Sequence, residues 1–144
     1  MGIKRILIAF TLVLAFAGPA FASSYCFEAA GAEYGVSPQL LWSIAKVESD
    51  FSTQAVNWNQ NGTYDYGLMQ INSSWASRLG PGIWRSLGDP CANIRAGAWI
   101  MAQCVRRYGY TWEAVGCYNA SSEKEREKYA LKVYAAFKRY FRRP

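Results

Sequence analysis

The chain has 144 residues, which fits one domain, and 51% of them are hydrophobic, which excludes a disordered chain. It contains no histidine, so Ser-His-Asp and Cys-His catalysis and histidine-ligated zinc sites are excluded. Proton transfer near neutral pH therefore falls to a carboxylate, a tyrosine or a lysine. The net charge of +6 belongs to the two ends of the chain, because Lys4 and Arg5 lie at the start and residues 121–144 hold eight Lys or Arg against three Glu.

Residues 1–22 have the pattern of a cleaved signal peptide. A basic start precedes an apolar run over residues 6–17, which is too short to span a bilayer comfortably, and residues 20–22 form a small-x-small cleavage site. An uncleaved anchor is the alternative interpretation. We expect residues 23–144 to form the mature domain, exported to the periplasm or secreted, with no stable membrane insertion. Nucleic acid is a poor partner for such a protein.

The first half of the mature chain predicts helices followed by a small hairpin. Residues 27–34 predict a short helix ended by Gly35. Ser37-Pro38 is an N-cap followed by proline at the first helical position, which opens a helix that ends at Glu48. The polar stretch over residues 57–66 contains Asn61-Gly62, a hairpin turn signal.

The second half is predicted to be helical throughout. A helix is expected from near Gly67, and Asp89-Pro90 opens a long helix that Gly109 ends. Thr111 caps a short helix over residues 112–116. The last helix has an apolar face and an opposite basic face. The apolar face consists of Ala130, Val133, Phe137 and Phe141.

The four cysteines all lie after the signal peptide, and an even number in an oxidising compartment predicts two disulfides. Three pairings are possible. We favour Cys104–Cys117, which are close in sequence, with Cys26–Cys91 then tying the start of the domain to the helix after Pro90. A metal site is the competing interpretation, but no CxxC spacing supports it, and neither a metal nor a cofactor is expected.

Glu48 is the best catalytic candidate. It follows the apolar residues Ile44, Ala45 and Val47 and precedes a long polar loop. Apolar surroundings disfavour the charged form of a carboxyl group, so the group stays protonated and can act as a general acid at neutral pH. An exposed glutamate at a helix end is the alternative for the same pattern.

Two further segments carry groups suited to a sugar ligand. Residues 65–72 contain Gln70 and Asn72, whose amides can bond hydroxyl and acetamido groups. Residues 116–120 contain Tyr118, whose phenol can orient a carboxylate. An ordinary loop and an ordinary turn are the alternatives.

These segments, in this order and spacing, resemble the three signatures of soluble lytic transglycosylases. The resemblance is carried by Lys46-Val47-Glu48-Ser49, by Gly67-Leu68-Met69-Gln70-Ile71-Asn72 and by Tyr118-Asn119-Ala120. It covers roughly residues 26–133 and is closest to small exported members that accompany type III and type IV secretion, conjugation and pilus systems. It implies a mainly α, lysozyme-like (α+β) fold with a small β-hairpin insertion beside the active-site cleft.

The resemblance also implies the roles of the residues. Glu48 would be the catalytic group, acting on peptidoglycan strands to leave a 1,6-anhydromuramic end. Substrate contacts are expected from Ser49, Gln70, Asn72, Tyr118 and Asn119, and from the loop aromatics Trp58 and Tyr66, which can stack on sugar rings. The protein is expected to be a monomer, with a secretion or pilus apparatus protein as a possible further partner.

A second resemblance, to the active-site stretch of animal C-type lysozymes, covers Ala45–Trp75 and gives a role to Asp65. Asp65 lies 17 residues after Glu48, at the position where such lysozymes have a second carboxylate. A hydrolytic muramidase that uses Glu48 and Asp65 is therefore the alternative activity, and a hairpin anchor is the alternative role of Asp65. A non-catalytic glycan-binding scaffold is a further alternative. The basic tail, residues 132–143, is expected to be an interaction face rather than part of the cleft, and a solvated helix end is the alternative.

Overall fold

The computed structural model describes residues 19–141, which form six α-helices and one small antiparallel sheet. In chain order the elements are α1 (Pro19–Tyr34), α2 (Pro38–Ser49), β1 (Val56–Trp58), β2 (Tyr64–Tyr66), β3 (Ile71–Asn72), a 3-10 helix (Ser73–Trp75), α3 (Ala76–Ser86), α4 (Pro90–Tyr108), α5 (Trp112–Cys117) and α6 (Glu123–Phe141). The mainly helical fold with one β insertion is confirmed. Most of the predicted signal peptide, the last two residues of the basic tail and Pro144 lie outside the described residues. None of the described helices is long and apolar enough to cross a membrane.

The predicted N-caps of three helices are confirmed. The side chains of Ser37, Asp89 and Thr111 each accept a hydrogen bond from the backbone N–H three residues further on, at 3.4, 2.8 and 3.3 Å. These bonds satisfy N–H groups that have no partner inside the helix. Gly109 ends α4 in a backbone conformation with φ of 71°. Helices α2, α4 and α5 therefore begin, and α4 ends, where local sequence chemistry places them.

Two predicted helix starts are wrong. The first helix begins at Pro19 rather than at residue 27, and proline is favourable as a first helical residue because its missing N–H would have no partner there. The helix predicted from near Gly67 begins only at Ser73, after a turn and the short strand β3. The reason is that Gly67 and Gln70 both have positive φ, at 76° and 49°, which an α-helix does not tolerate.

The sheet forms a small meander in which β2 lies between β1 and β3. The turn between β1 and β2 contains Asn61-Gly62, with φ of 82° at the glycine, so the hairpin prediction is confirmed. Asp65 lies opposite Asn57 on one side and Asn72 on the other. This register gathers three polar side chains in one row across the sheet.

Helix α4 lies at the centre of the helical part and contacts α1, α2, α3, α5 and β3. The core around it contains fully buried aliphatic side chains from four elements, among them Leu41, Ile44, Ile94, Met101 and Val133. Helix α6 packs on both α2 and α5, although these two helices are far apart in the sequence. That packing brings the last helix next to the end of α2, where Glu48 lies.

Both predicted disulfides are present. Cys26–Cys91 joins α1 to the first turn of α4, and Cys104–Cys117 joins the later part of α4 to the end of α5. The second bridge holds the segment that contains Tyr118 and Asn119 against the central helix. Each bridge restricts the unfolded chain and is expected to stabilise the fold by roughly 2–4 kcal/mol.

Candidate active site

Glu48 is the second-last residue of α2. The helix ends there because Asp50 and Phe51 adopt left-handed conformations, with φ of 51° and 65°. The chain therefore turns away immediately after the glutamate. The apolar residues on the preceding turns, such as Ile44 and Ala45, are fully buried. Glu48 itself is partly buried, so its carboxyl group sits at the edge of the core.

The pKa of Glu48 is raised from 4.5 to about 7. Burial is the largest cause, because it penalises the charged form. The hydrogen bonds from Tyr129 and Asn119 lower this pKa, the charge of Asp65 raises it and that of Lys132 lowers it. Near neutral pH the group is therefore divided between its protonated and ionised forms. Such a group can donate a proton and later take one back.

Tyr129 of α6 is the residue that sequence reasoning missed. Its hydroxyl donates a hydrogen bond of 2.5 Å to Oε1 of Glu48, and only 6% of its surface is exposed. Its position on the buried face of α6, next to Ala130, is the signal that could have found it. A buried tyrosine hydroxyl needs a polar partner, and the core offers few.

Tyr118 supports this contact from the other side. Its ring stacks on that of Tyr129 with 6.4 Å between the centroids, and its hydroxyl donates a hydrogen bond of 2.8 Å to the carbonyl oxygen of Met69. Burial raises the pKa of both phenols well above the usual value. Both tyrosines therefore stay protonated and act as donors while Glu48 titrates.

The side chains of Ser49 and Gln70 both form hydrogen bonds to the turn next to Glu48. The hydroxyl of Ser49 donates to the carbonyl oxygen of Leu68 at 2.8 Å. The Gln70 amide donates to the carbonyl oxygens of Gly67 and Ala55 at 2.8 and 3.1 Å, and its oxygen accepts a bond of 2.5 Å from Asn57. The two side chains thus hold this turn in place, and substrate contact by either stays a prediction.

Asp65 lies on β2 among amide groups. Its Oδ1 accepts a hydrogen bond of 2.7 Å from Asn72, and its Oδ2 accepts one of 3.0 Å from Asn59. Both oxygens of this carboxylate therefore accept hydrogen bonds from side-chain amides. Asp65 and Glu48 therefore have contrasting environments, one polar and one partly buried beside the core.

A cleft of about 1460 Å³ adjoins the site. Asp65, Asn72 and Asn119 line it, and the last of these also contacts Glu48. The structure thus brings four of the predicted site residues to one region. The other lining residues include amides of the hairpin and arginines of three helices. They are Asn59, Gln60, Asn61, Arg78, Arg106, Arg107 and Arg126.

The two loop aromatics occupy different environments. Trp58 is 74% exposed, with its ring 5.0 Å from that of Tyr64, whereas Tyr66 is partly buried against the core. Neither is among the described residues that line the cleft. Trp75, Trp84 and Trp99 pack against the core. Trp58 is thus exposed enough to stack on a sugar, and substrate contact by either aromatic residue stays a prediction.

Comparison with known proteins identifies the family. Residues 25–140 match the family described as "Transglycosylase SLT domain". The chain is 40% identical to "Protein IpgF" of Shigella flexneri over 124 residues, which cover 81% of this chain and 80% of that protein. It is 36% identical to "Invasion protein IagB" of Salmonella typhimurium over 121 residues, covering 79% of this chain and 76% of the relative. The chain therefore belongs to the SLT transglycosylase family, and it is a lysozyme-like enzyme that cleaves peptidoglycan.

Proposed function

We propose that the protein cleaves the β-1,4 bond between N-acetylmuramic acid and N-acetylglucosamine and leaves a 1,6-anhydromuramic end. Glu48 supplies both the acid and the base of this reaction. The observation that carries the proposal is the pKa of Glu48, raised to about 7 by burial. A group with that pKa exchanges protons in both directions near neutral pH.

The reaction has two proton transfers at one carboxyl group. Protonated Glu48 gives its proton to the glycosidic oxygen, the bond from this oxygen to C1 of the muramyl residue breaks, and the oxygen leaves as a hydroxyl of N-acetylglucosamine. The acetamido group of the muramyl residue stabilises the positive charge at C1. Ionised Glu48 then takes the proton of the C6 hydroxyl, whose oxygen bonds to C1. The glutamate ends protonated, and no water is consumed.

Tyr129 is proposed to hold the Glu48 carboxyl group during both transfers. Its donated hydrogen bond fixes one oxygen of the Glu48 carboxyl group. Tyr118 keeps Tyr129 in place by stacking. Asn72 and Asn119, which line the cleft, are proposed to bind the sugar, and Ser49 and Gln70 to shape the turn beside it.

A hydrolytic reaction is the second candidate, because of Asp65. This residue lines the cleft, and its charge raises the pKa of Glu48. An ionised carboxylate in this position can stabilise the cation at C1 while water completes the cleavage. We propose that Asp65 assists in this electrostatic way and that the anhydro sugar is still the main product.

We further propose that the enzyme acts in the periplasm and opens the cell wall locally for a secretion or pilus apparatus. The signal-peptide pattern of residues 1–22 supports export. The name of one relative, an invasion protein, supports a role in such a system. Deleting residues 2–22 should leave the protein in the cytoplasmic fraction, whereas the full chain should appear in the periplasmic fraction without those residues.

The Glu48→Gln variant tests the assignment of the catalytic group. Glutamine keeps the shape and can accept the Tyr129 bond, but it cannot donate a proton of suitable acidity. Turnover of purified sacculi should fall by about 10³-fold or more, while binding to sacculi is retained. The exposed Glu28→Gln variant is the matched control and should keep full activity. Retention of more than a few per cent of activity by Glu48→Gln would contradict the proposal, and loss of sacculus binding by this variant would point to misfolding.

A further inference from the structure

Three arginines without ion-pair partners line the cleft. They are Arg78 of α3 and Arg106 and Arg107 in the last turn of α4. Their side chains are exposed, and within the described part of the chain none of them forms a salt bridge. Among the described lining residues, Asp65 is the single carboxylate. This part of the cleft is therefore positively charged.

Arg78 is held in place by aromatic rings. Its guanidinium carbon lies 4.7 Å from the ring centroid of Trp75 and 5.7 Å from that of Trp99, and the two rings meet edge to face. A guanidinium group that lies over an aromatic ring still has N–H donors available for a ligand. The arginine is thus oriented before a ligand arrives, which reduces the entropy lost on binding.

The two arginines of α4 are also partly ordered. Arg106 donates a hydrogen bond to the side-chain oxygen of Gln103, whose amide in turn donates to the backbone of Trp99. Arg107 lies over the ring of Tyr108 at 5.2 Å. A fourth arginine of the cleft, Arg126, differs because it already forms a salt bridge of 3.0 Å with Glu113.

We propose that Arg78, Arg106 and Arg107 bind carboxylates of the peptide stems and so select glycan strands that still carry their peptides. This inference rests on the proposed function. In such strands the sugars are uncharged, since the lactyl carboxyl of each muramyl residue is bound in an amide, and the negative charges lie on the peptides. A guanidinium group binds a carboxylate with two parallel hydrogen bonds, a geometry that sugar hydroxyls do not match.

The test compares two soluble substrates, peptide-bearing strands and strands from which an amidase has removed the peptides. The second substrate has free lactyl carboxylates in place of peptide carboxylates. Comparing the two substrates therefore shows which of these carboxylates the arginines bind. The Arg106→Gln/Arg107→Gln variant should lower kcat/KM about tenfold more on peptide-bearing strands than on stripped strands, through KM. Arg85→Gln/Lys124→Gln is the matched control, because these exposed residues lie outside the cleft lining and their substitution removes the same charge.

Salt and conservative substitution provide a second readout. The preference of the wild type for peptide-bearing strands should decline as salt rises, because exposed charges are screened over about 8 Å at physiological ionic strength. Arg106→Lys/Arg107→Lys keeps the charge and should recover this salt dependence. Equal loss on both substrates, or a preference that the glutamine variant retains, would overturn the inference.

The failure of this inference is distinguishable from failure of the proposed reaction. If the wild type releases anhydro ends from both substrates, the proposed function holds whatever the arginine variants do. If the wild type releases none, binding to the two kinds of strand, measured with Glu48→Gln protein with and without the arginine substitutions, still tests the arginines. Equal affinity of the Glu48→Gln protein with intact arginines for both kinds of strand would refute their role.

Discussion

Replacing Glu48 by glutamine is expected to make the protein more stable at alkaline pH. Burial raises the pKa of this carboxyl group from 4.5 to about 7. The native state therefore holds a proton that the unfolded chain releases, and the free energy of unfolding falls as pH rises between these two values. One pH unit corresponds to 1.36 kcal/mol, so the full penalty above the folded pKa is about 3 kcal/mol. Glutamine is neutral and avoids this penalty.

The measurement is the free energy of unfolding of both proteins from urea titrations with the disulfides intact, at intervals from pH 4 to pH 8. At pH 4 Glu48 is mostly protonated in both the native and the unfolded state. The difference in the free energy of unfolding between the two proteins at this pH therefore serves as the reference. The variant should gain on the wild type up to about pH 7 and stay about 3 kcal/mol ahead, relative to pH 4, beyond it. Glu28→Gln should show no such gain. Parallel curves for Glu48→Gln and wild type would refute a raised pKa, and with it the burial argument for catalysis.

Three further substitutions test the surroundings of the site. Tyr129→Phe removes a hydrogen bond that favours the ionised form, so the alkaline limb of the kcat/KM profile should move to higher pH while kcat falls; an unmoved limb would contradict the contact. Asp65→Asn should lower kcat roughly 10²-fold. It should also move the alkaline limb of the kcat/KM profile to lower pH, because the charge that raises the Glu48 pKa is removed. An unchanged rate would mean that Asp65 is only a hairpin anchor. Gly67→Ala should destabilise the fold by more than about 1 kcal/mol in urea titrations, because φ is +76° and the new Cβ would lie 2.3 Å from a buried asparagine amide. Gly62→Ala, at φ of +82° but in open space, is the control and should cost less; equal costs would remove the packing argument.

The helix limits that local chemistry determines could be predicted from the sequence. Ser37, Asp89 and Thr111 act as caps in the structure as their residue types indicate, and Asn61-Gly62 lies in the turn of the hairpin. The wrong helix start near Gly67 has a specific cause. A non-glycine residue with positive φ, such as Gln70, is not visible in residue patterns, because buried hydrogen bonds rather than local preference hold it there.

The catalytic candidate itself was predictable, but its environment was not. Glu48 is recognisable in the sequence because it follows apolar residues near the end of a predicted helix. Its contact with Tyr129 joins residues 81 positions apart and depends on how α6 packs on α2. No local pattern encodes that packing. The same holds for the arginines of the cleft, which come from α3 and α4 and meet only in the folded chain.

The most direct test of the central claim, a single glutamate that closes the anhydro ring, is digestion of purified sacculi in water labelled with ¹⁸O, followed by mass spectrometry of the released muropeptides. The mechanism predicts 1,6-anhydromuramic ends without label, because the oxygen that bonds to C1 comes from the C6 hydroxyl of the sugar. A hydrolase that uses Glu48 and Asp65 would instead place one labelled oxygen at each new reducing end. Labelled reducing ends as the only products would contradict the account.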